Sequence, residues 1–203
     1  MTHRLHRGDL AESVDLGPVV AVDTEAMGLN PRRDRLCLVQ LSAGDGDAHL
    51  VQFAPGGYAA PRLKRLLADP DTLKLFHFAR FDLAMLYHHL GVMALPVYCT
   101  KIASRLSRTF TDRHGLRDLC KDLISIDLSK QQQSSDWGAE TLTEEQLRYA
   151  ASDVLHLHAL RDRLDAMLAR EGRESLARAC FEFLPHRVRL DLEGWSEQDI
   201  FAH

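Results

Sequence analysis

The chain has 203 residues, of which 45% are hydrophobic and 27% are charged, and its formal net charge at pH 7 is −4. This length is sufficient for one sizeable core, so we expect residues 1–203 to form a single domain. The acidic balance argues against a protein that coats long nucleic acid through a broad basic surface. It does not argue against a small site at which bound metal ions supply the positive charge.

The sequence shows no sign of export or membrane insertion. No stretch reaches the uninterrupted apolar length of a membrane helix, and the opening MTHRLHRGDL lacks the apolar region of a secretory signal. The four cysteines are scattered and form no CxxC pair, which is typical of reduced thiols in the cytoplasm. We therefore expect a cytoplasmic protein that makes no membrane contact.

Strands are predicted mainly in the first half of the chain. Alternating or β-branched runs predict strands over residues 2–7, 17–25, 35–43, 47–53 and 72–78. Apolar residues at helical spacing predict helices over residues 60–70, 79–91, 100–110, 115–124, 142–172 and 173–184. Thr143 is expected to begin the longest helix and Gly172 to end it, and residues 129–140 are predicted to form a polar loop. This order of elements predicts an α/β domain with a mixed central sheet covered by helices.

Four acidic residues come from three separate segments. Asp23 and Glu25 lie two residues apart at a strand end, so their side chains point to one face. Asp82 lies where a strand gives way to a helix. Asp153 lies among small and apolar residues on the longest helix, one turn after Tyr149. Each has a simpler interpretation when taken alone, such as solvated acids in a turn or an acid that stabilises a helix dipole.

Taken together, these residues favour a metal site. Burying like charges together is costly unless one carboxylate stays protonated or a cation binds between them. Ligand sets made only of oxygen suit Mg²⁺ or Mn²⁺ rather than zinc. Two such ions about 3.5–4 Å apart can activate a water and stabilise a leaving oxygen in phosphodiester cleavage.

Three short motifs carry a resemblance to a known family. DTE at 23–25, HFARFD at 77–82 and YAASD at 149–153 resemble the motifs of the DEDD superfamily of 3′–5′ exonucleases, in the branch with tyrosine in the third motif. The segment LSKQQQSSDWGAETLTEEQLRYAASDVLHL is similar to the segment leading into the third motif of ribonuclease D. The resemblance covers approximately residues 15–165 and implies a ribonuclease H-like exonuclease fold with a helical C-terminal half.

The resemblance implies roles for the four acids and the tyrosine. It makes Asp23, Glu25, Asp82 and Asp153 the ligands of two divalent ions, Mg²⁺ or Mn²⁺, in each active site. It makes Tyr149 the residue that positions the attacking water or helps to deprotonate it. The implied reaction is hydrolysis at the 3′ end, with release of nucleoside 5′-monophosphates.

Three further residues are predicted to contact the substrate. Leu29 lies in a turn six residues after Asp23, where the resemblance implies a wedge between two bases; the alternative is a place in the local core. His77 is predicted to contact the 3′ end or a phosphate, or else to be a buried, hydrogen-bonded histidine. Thr24, between the two acids of the first motif, is also assigned to substrate binding.

Within this family the chain looks most like the nano-RNase C group of diribonucleases, because we expect a single nuclease domain without the helical RNA-binding domains of ribonuclease D proper. The tail GWSEQDIFAH also resembles that group. This resemblance implies short single-stranded RNA, dinucleotides in particular, as substrate, and a ring-shaped homo-octamer.

Two alternatives stay open. A general 3′–5′ exonuclease acting on longer RNA or on DNA would carry the same acids, because the metal site reads only a phosphodiester. A catalytically silent module that binds nucleic acid is the alternative of another class. Loss of a metal acid would favour the silent module, and all four acids are present.

Overall fold

The computed structural model describes residues 2–128 and 135–202. These residues form a six-stranded sheet with the spatial order β1-β4-β3-β2-β5-β6. The strands are β1 (Thr2–Arg7), β2 (Val19–Ala26), β3 (Leu36–Ser42), β4 (Asp47–Gln52), β5 (Leu73–Phe76) and β6 (Val97–Cys99).

Seven α-helices accompany the sheet in the described part of the chain. They are α1 (Pro61–Ala68), α2 (Ala79–Leu90), α3 (Thr100–Ser107), α4 (Leu116–Ile124), α5 (Glu144–Leu155), α6 (Leu157–Arg170) and α7 (Glu174–Leu190). A π-helical turn, Asp191–Trp195, continues α7. Within these described segments, no helix combines the length and the apolar character needed to cross a bilayer.

The sheet is mixed, as the sequence predicts. The pairs β2–β3 and β3–β4 are antiparallel, whereas β2–β5, β5–β6 and β1–β4 are parallel pairs. All seven residues of β3 are buried, which is typical of a strand covered on both faces. Helix α5 packs against β2, β3 and β4, and α2 packs against β2, β3 and β5. The central strand β2 therefore meets both helices that carry motif acids.

The start of the longest predicted helix agrees with the prediction, but its middle does not. Thr143 caps α5 through a capping box, in which Thr143 Oγ1 accepts from the Gln146 amide and Gln146 Oε1 accepts from the Thr143 amide. Residues 142–172 form two helices rather than one. The helix is interrupted at His156, whose φ and ψ of −110° and −3° depart from the usual α-helical values of about −63° and −42°.

Helix α7 and strand β6 also differ from the prediction. Helix α7 continues to Leu190, six residues past the predicted end, with Pro185 inside it. Strand β6 was not predicted, because three residues are too few to show a period. Residues 129–134 of the predicted polar loop lie outside the described residues.

Candidate active site

Three of the predicted metal ligands meet at one point. Asp23 and Glu25 lie on the same face of β2, and Asp153 comes from α5, which packs against that strand. One carboxylate oxygen from each of the three lies within 4.8 Å of the others. The strand alternation predicted from the sequence thus brings the first two acids together, and the packing of α5 adds the third.

Asp82 lies in the first turn of α2 and is almost fully buried, with 3% of its surface exposed. It does not belong to the group of three, but it lies close enough for the charge of Asp23 to raise its pKa. Its Oδ1 accepts a 2.7 Å hydrogen bond from the Thr24 hydroxyl. The structure therefore places the fourth acid beside the cluster and ties it to the central strand.

The surroundings of the four acids strongly disfavour their ionised forms. Burial raises the pKa of Asp23 to about 7. Burial, followed by the charges of Asp23, Asp153 and Asp82, raises the pKa of Glu25 to about 10. Burial and then the charge of Asp23 also raise the pKa of Asp153 and of Asp82 well above the usual range. Four carboxyls held in this way favour a cation that would offset their repulsion.

The protein itself does not supply that cation within its described residues. No lysine, arginine or histidine there forms an ion pair with any of the four acids. The donor set consists of carboxylate oxygens, which Mg²⁺ and Mn²⁺ prefer. The residues present therefore fit a divalent metal ion.

Tyr149 lies in the same cavity as the three acids. Burial, and then the charges of Asp153, Glu25 and Asp23, raise the pKa of its phenol above the usual value. The phenol is therefore neutral at physiological pH and can donate a hydrogen bond. The buried indole of Trp137 lies beside it, with ring centroids 6.1 Å apart, and anchors the preceding loop against α5.

The cavity at this site has a volume of about 320 Å³, and the rest of its wall combines basic, aromatic and aliphatic residues. His77, Phe78 and Lys101 line it together with the acids. The ammonium of Lys101 lies 4.2 Å from the ring centroid of Phe78, a cation–π contact. Phe78 is the N-cap residue of α2. Its φ of +71° is a left-handed backbone conformation that is unusual for a bulky residue, and its side chain is 46% exposed. Sequence reasoning missed Phe78 and Lys101, because neither residue type is distinctive at its position.

The three predicted substrate residues have different surroundings. His77 lines the cavity, its Nδ1 lies 2.9 Å from Thr100 Oγ1, and burial lowers its pKa to about 3, so it is a neutral ring. Leu29 is 86% exposed, which rules out the alternative of a place in the local core. Thr24 is 6% exposed, and its hydroxyl is engaged with Asp82. Direct contact of these side chains with substrate stays a prediction.

The order of the sheet, with acids on its central strand and on two packed helices, defines a nuclease domain of the ribonuclease H-like exonuclease fold. Residues 7–169 match the model of the 3′-5′ exonuclease family. The chain belongs to this family, in its ribonuclease D-like branch.

Ribonuclease D proteins are among the sequence relatives. The ribonuclease D of Gluconacetobacter diazotrophicus is 37% identical over 156 residues, which make up 77% of this chain and 39% of that protein. The chain thus spans about two fifths of the length of the curated relatives it matches. The structure of Escherichia coli RNase D is 25% identical with a TM-score of 0.73, over 84% of this chain and 45% of that one.

Two structures of Brucella melitensis NrnC are similar over their full length. NrnC with bound Mg²⁺ is 55% identical with a TM-score of 0.96, and each chain is covered completely. NrnC bound to pGG is 56% identical with a TM-score of 0.97, over 100% of this chain and 99% of that one. The predicted resemblance to ribonuclease D and to the nano-RNase C group is confirmed, and with it the expectation of an enzyme. The family and the carboxylate cluster also confirm the predicted divalent-metal cofactor.

Proposed function

We propose that this chain is a 3′–5′ exoribonuclease that hydrolyses very short RNA, dinucleotides above all, to nucleoside 5′-monophosphates with two divalent metal ions in the active site. The observation that carries the proposal is the meeting of Asp23, Glu25 and Asp153 beside Tyr149 in one cavity. The preference for dinucleotides is supported by the full-length similarity to an NrnC that binds pGG.

The four acids are the proposed ligands of the metal. Asp23, Glu25 and Asp153 would hold it directly, and Asp82 lies beside them in the position to complete the set. The metal, when bound, supplies an acidified water and a counter-charge for the phosphate. Asp82 is held by Thr24, so the site is largely built before any ligand binds.

The other residues of the cavity act on water and on substrate. The neutral phenol of Tyr149 donates a hydrogen bond that orients the attacking water. The neutral ring of His77 and the ammonium of Lys101 face the same cavity and contact the sugar and phosphate of the terminal nucleotide. Leu29, exposed in the loop that follows β2, stacks against the bases, and such stacking tolerates every sequence.

We also propose that the chain assembles into a homo-oligomer, in the octameric form implied by the family resemblance. Support comes from large apolar side chains left exposed near the C-terminal end, where the rings of Phe183 and Phe201 lie 6.0 Å apart. Light scattering after gel filtration tests this. A mass near eight times 22.9 kDa is expected, and a mass equal to one chain would contradict it.

The activity is tested with a dinucleotide, 5′-phosphorylated GpG, in Mg²⁺ or Mn²⁺ with an EDTA control. We expect the 3′-hydroxyl substrate to yield guanosine 5′-monophosphate, whereas a 3′-phosphorylated substrate stays intact. Asp153→Asn is the matched variant; it removes a carboxyl whose ionised form is disfavoured in the metal-free site, so its metal-free melting temperature should not fall, while its turnover is lost. Wild-type protein that releases no monophosphate, or an Asp153→Asn variant that hydrolyses at the wild-type rate, would overturn the proposal.

The deoxyribose dinucleotide separates this proposal from a general exonuclease. Equal rates on the ribose and deoxyribose forms would favour the general enzyme, because a site selective for RNA must sense the 2′-hydroxyl. A rate that falls by about tenfold or more on the deoxyribose form supports the ribonuclease.

A further inference from the structure

A buried glutamine lies directly across the sheet from one of the metal acids. Gln40 on β3 is the register partner of Asp23 on β2 in the antiparallel pair. Its side-chain Nε2 donates a 3.2 Å hydrogen bond to Asp23 Oδ2. Side chains opposite each other on neighbouring strands lie close enough for such a contact, so the register itself creates it.

Apart from this bond, the Gln40 side chain makes no hydrogen bond within the described residues. The residue is fully buried, and its neighbours Val39 and Leu41 are equally buried. Within the described residues its Oε1 has no hydrogen-bond partner. A buried amide with an unpartnered oxygen is less favourable in a core than an apolar side chain of similar size. The core would thus accept leucine more readily, and the contact with Asp23 is the feature that sets glutamine apart.

Glutamine can also donate a hydrogen bond to a metal-binding aspartate without neutralising the negative charge that attracts the metal. A lysine or arginine at position 40 would neutralise Asp23 and weaken its attraction for a cation. A glutamate would place a fifth carboxyl beside the cluster. The amide orients Asp23 through a neutral donor, engages Oδ2, and preserves the negative charge of the site.

We propose that Gln40 is a positioning residue for the metal centre, which holds the Asp23 carboxylate in the orientation that binds the divalent ion. This inference rests on the metal site of the proposed function and extends it to a residue outside the three motifs. Partners that orient metal ligands typically contribute about 10–100-fold to metal affinity or activity. Loss of the amide should therefore appear mainly as weaker metal binding.

The test uses Gln40→Met, which keeps the length of the side chain without the donor, and Gln40→Leu as a second apolar variant. Gln52→Met is the matched control. Gln52 is also a buried sheet glutamine whose Oε1 has no hydrogen-bond partner in the described part of the chain, but its Nε2 donates to the backbone oxygens of Ala139 and Glu140. The control thus removes the same kind of amide away from the carboxylates.

Two readouts are measured on the full chain: the Mg²⁺ concentration that gives half of the maximal rate, and the rise in melting temperature on titration with Mg²⁺ alone. For Gln40→Met we expect the half-maximal rate and the rise in melting temperature each to require at least about tenfold more Mg²⁺ than in wild type. The metal-free melting temperature should stay close to that of wild type. For Gln52→Met we expect wild-type Mg²⁺ dependence, whatever happens to its metal-free stability.

Unchanged Mg²⁺ dependence in both Gln40 variants would overturn the inference, and so would an equal change in Gln52→Met. Should one Gln40 variant fail to fold, the other is assessed by the same criterion. The melting experiment needs no RNA, so it separates this inference from the proposed function. Wild-type protein that binds Mg²⁺ but cleaves no RNA would refute the function and leave the role of Gln40 open to the same measurement.

Discussion

The Thr24 hydroxyl donates a 2.7 Å hydrogen bond to Asp82 Oδ1, and this bond joins the central strand β2 to the first turn of helix α2. Thr24 is 6% exposed and Asp82 is 3% exposed, so water cannot replace either partner. The residue between the two acids of the first motif therefore acts on the second motif. This contact explains how a carboxyl group is kept buried beside three others.

Replacing Thr24 with valine should test that contact. Thr24→Val keeps the shape of the side chain and suits a strand, but it removes the hydroxyl donor to a buried acid. We expect the free energy of unfolding to fall by about 1–3 kcal/mol, measured by urea denaturation without metal. Thr24→Ser retains the hydroxyl and should lose less. A valine variant as stable as wild type would show that the hydrogen bond contributes nothing to the fold.

Tyr149→Phe should separate orientation of water from proton abstraction. The phenol pKa is raised, so tyrosine is neutral between pH 6 and 9, and the variant loses a hydrogen-bond donor rather than a base. We expect the rate to fall by about 100-fold or more, with pH–rate profiles of the same shape and an unchanged melting response to Mg²⁺. An inflection present in wild type and absent from the variant would show instead that the phenol ionises during turnover.

Leu29→Ala should weaken substrate binding without affecting the fold. Leu29 is 86% exposed, so the free energy of unfolding should change by less than about 0.5 kcal/mol. Loss of the apolar contact with the bases, about 1.5–3 kcal/mol, corresponds to an increase of about 10–150-fold in the dissociation constant for a dinucleotide. Leu176→Ala, which truncates another exposed leucine on α7, is the control and should bind normally. Normal dinucleotide binding by Leu29→Ala would show that Leu29 does not wedge between the two bases.

The outer edge of the sheet should be sensitive to acid. His6 on β1 and His49 on β4 stack with ring centroids 5.2 Å apart, and their nitrogens lie 3.0 Å apart. Burial is the first cause that lowers the pKa of both, and the charges of Arg4 and of the neighbouring His6 lower that of His49 further. The unfolded chain therefore takes up protons first as the pH falls below about 6.5. The contribution of this pair is fully present above that pH and is lost below it.

Urea denaturation at pH 7.5 and 5.5 measures this effect. His49→Phe keeps an aromatic ring against His6 but cannot be protonated at that position. We expect the loss of unfolding free energy between the two pH values to be smaller in His49→Phe than in wild type. The buried carboxyl groups act in the opposite direction, but they are common to both proteins and cancel in the comparison. An equal loss in the two proteins would show that the pair does not titrate on unfolding.

Much of the fold could be predicted from local pattern. The short β-branched run before Asp23 and the alternating run that became β3 each predicted a strand, and both strands formed as expected. The break at His156 was not predictable, because buried apolar residues continue at helical spacing on both sides of it, through Ala150 and Val154 before it and Leu157 and Leu160 after it. Strand β6 depends on pairing with β5, a contact between distant parts of the chain that no local period encodes.

The site was partly predictable for the same reason. Asp23 and Glu25 share a face by strand alternation, and the motif spacing pointed to Asp82 and Asp153. Gln40 was not found, because its role depends on the register between two strands rather than on its own sequence neighbours.

The most direct test of the central claim is the initial rate on 5′-labelled RNAs from two to about twenty nucleotides, a range that covers the footprint of small single-strand sites. Each reaction contains Mg²⁺ or Mn²⁺, with EDTA as control. The account predicts rates that peak sharply at the dinucleotide, because the site holds both ends of a very short substrate. Rates that stay level or rise with length would contradict it and would identify a general exonuclease with an open channel.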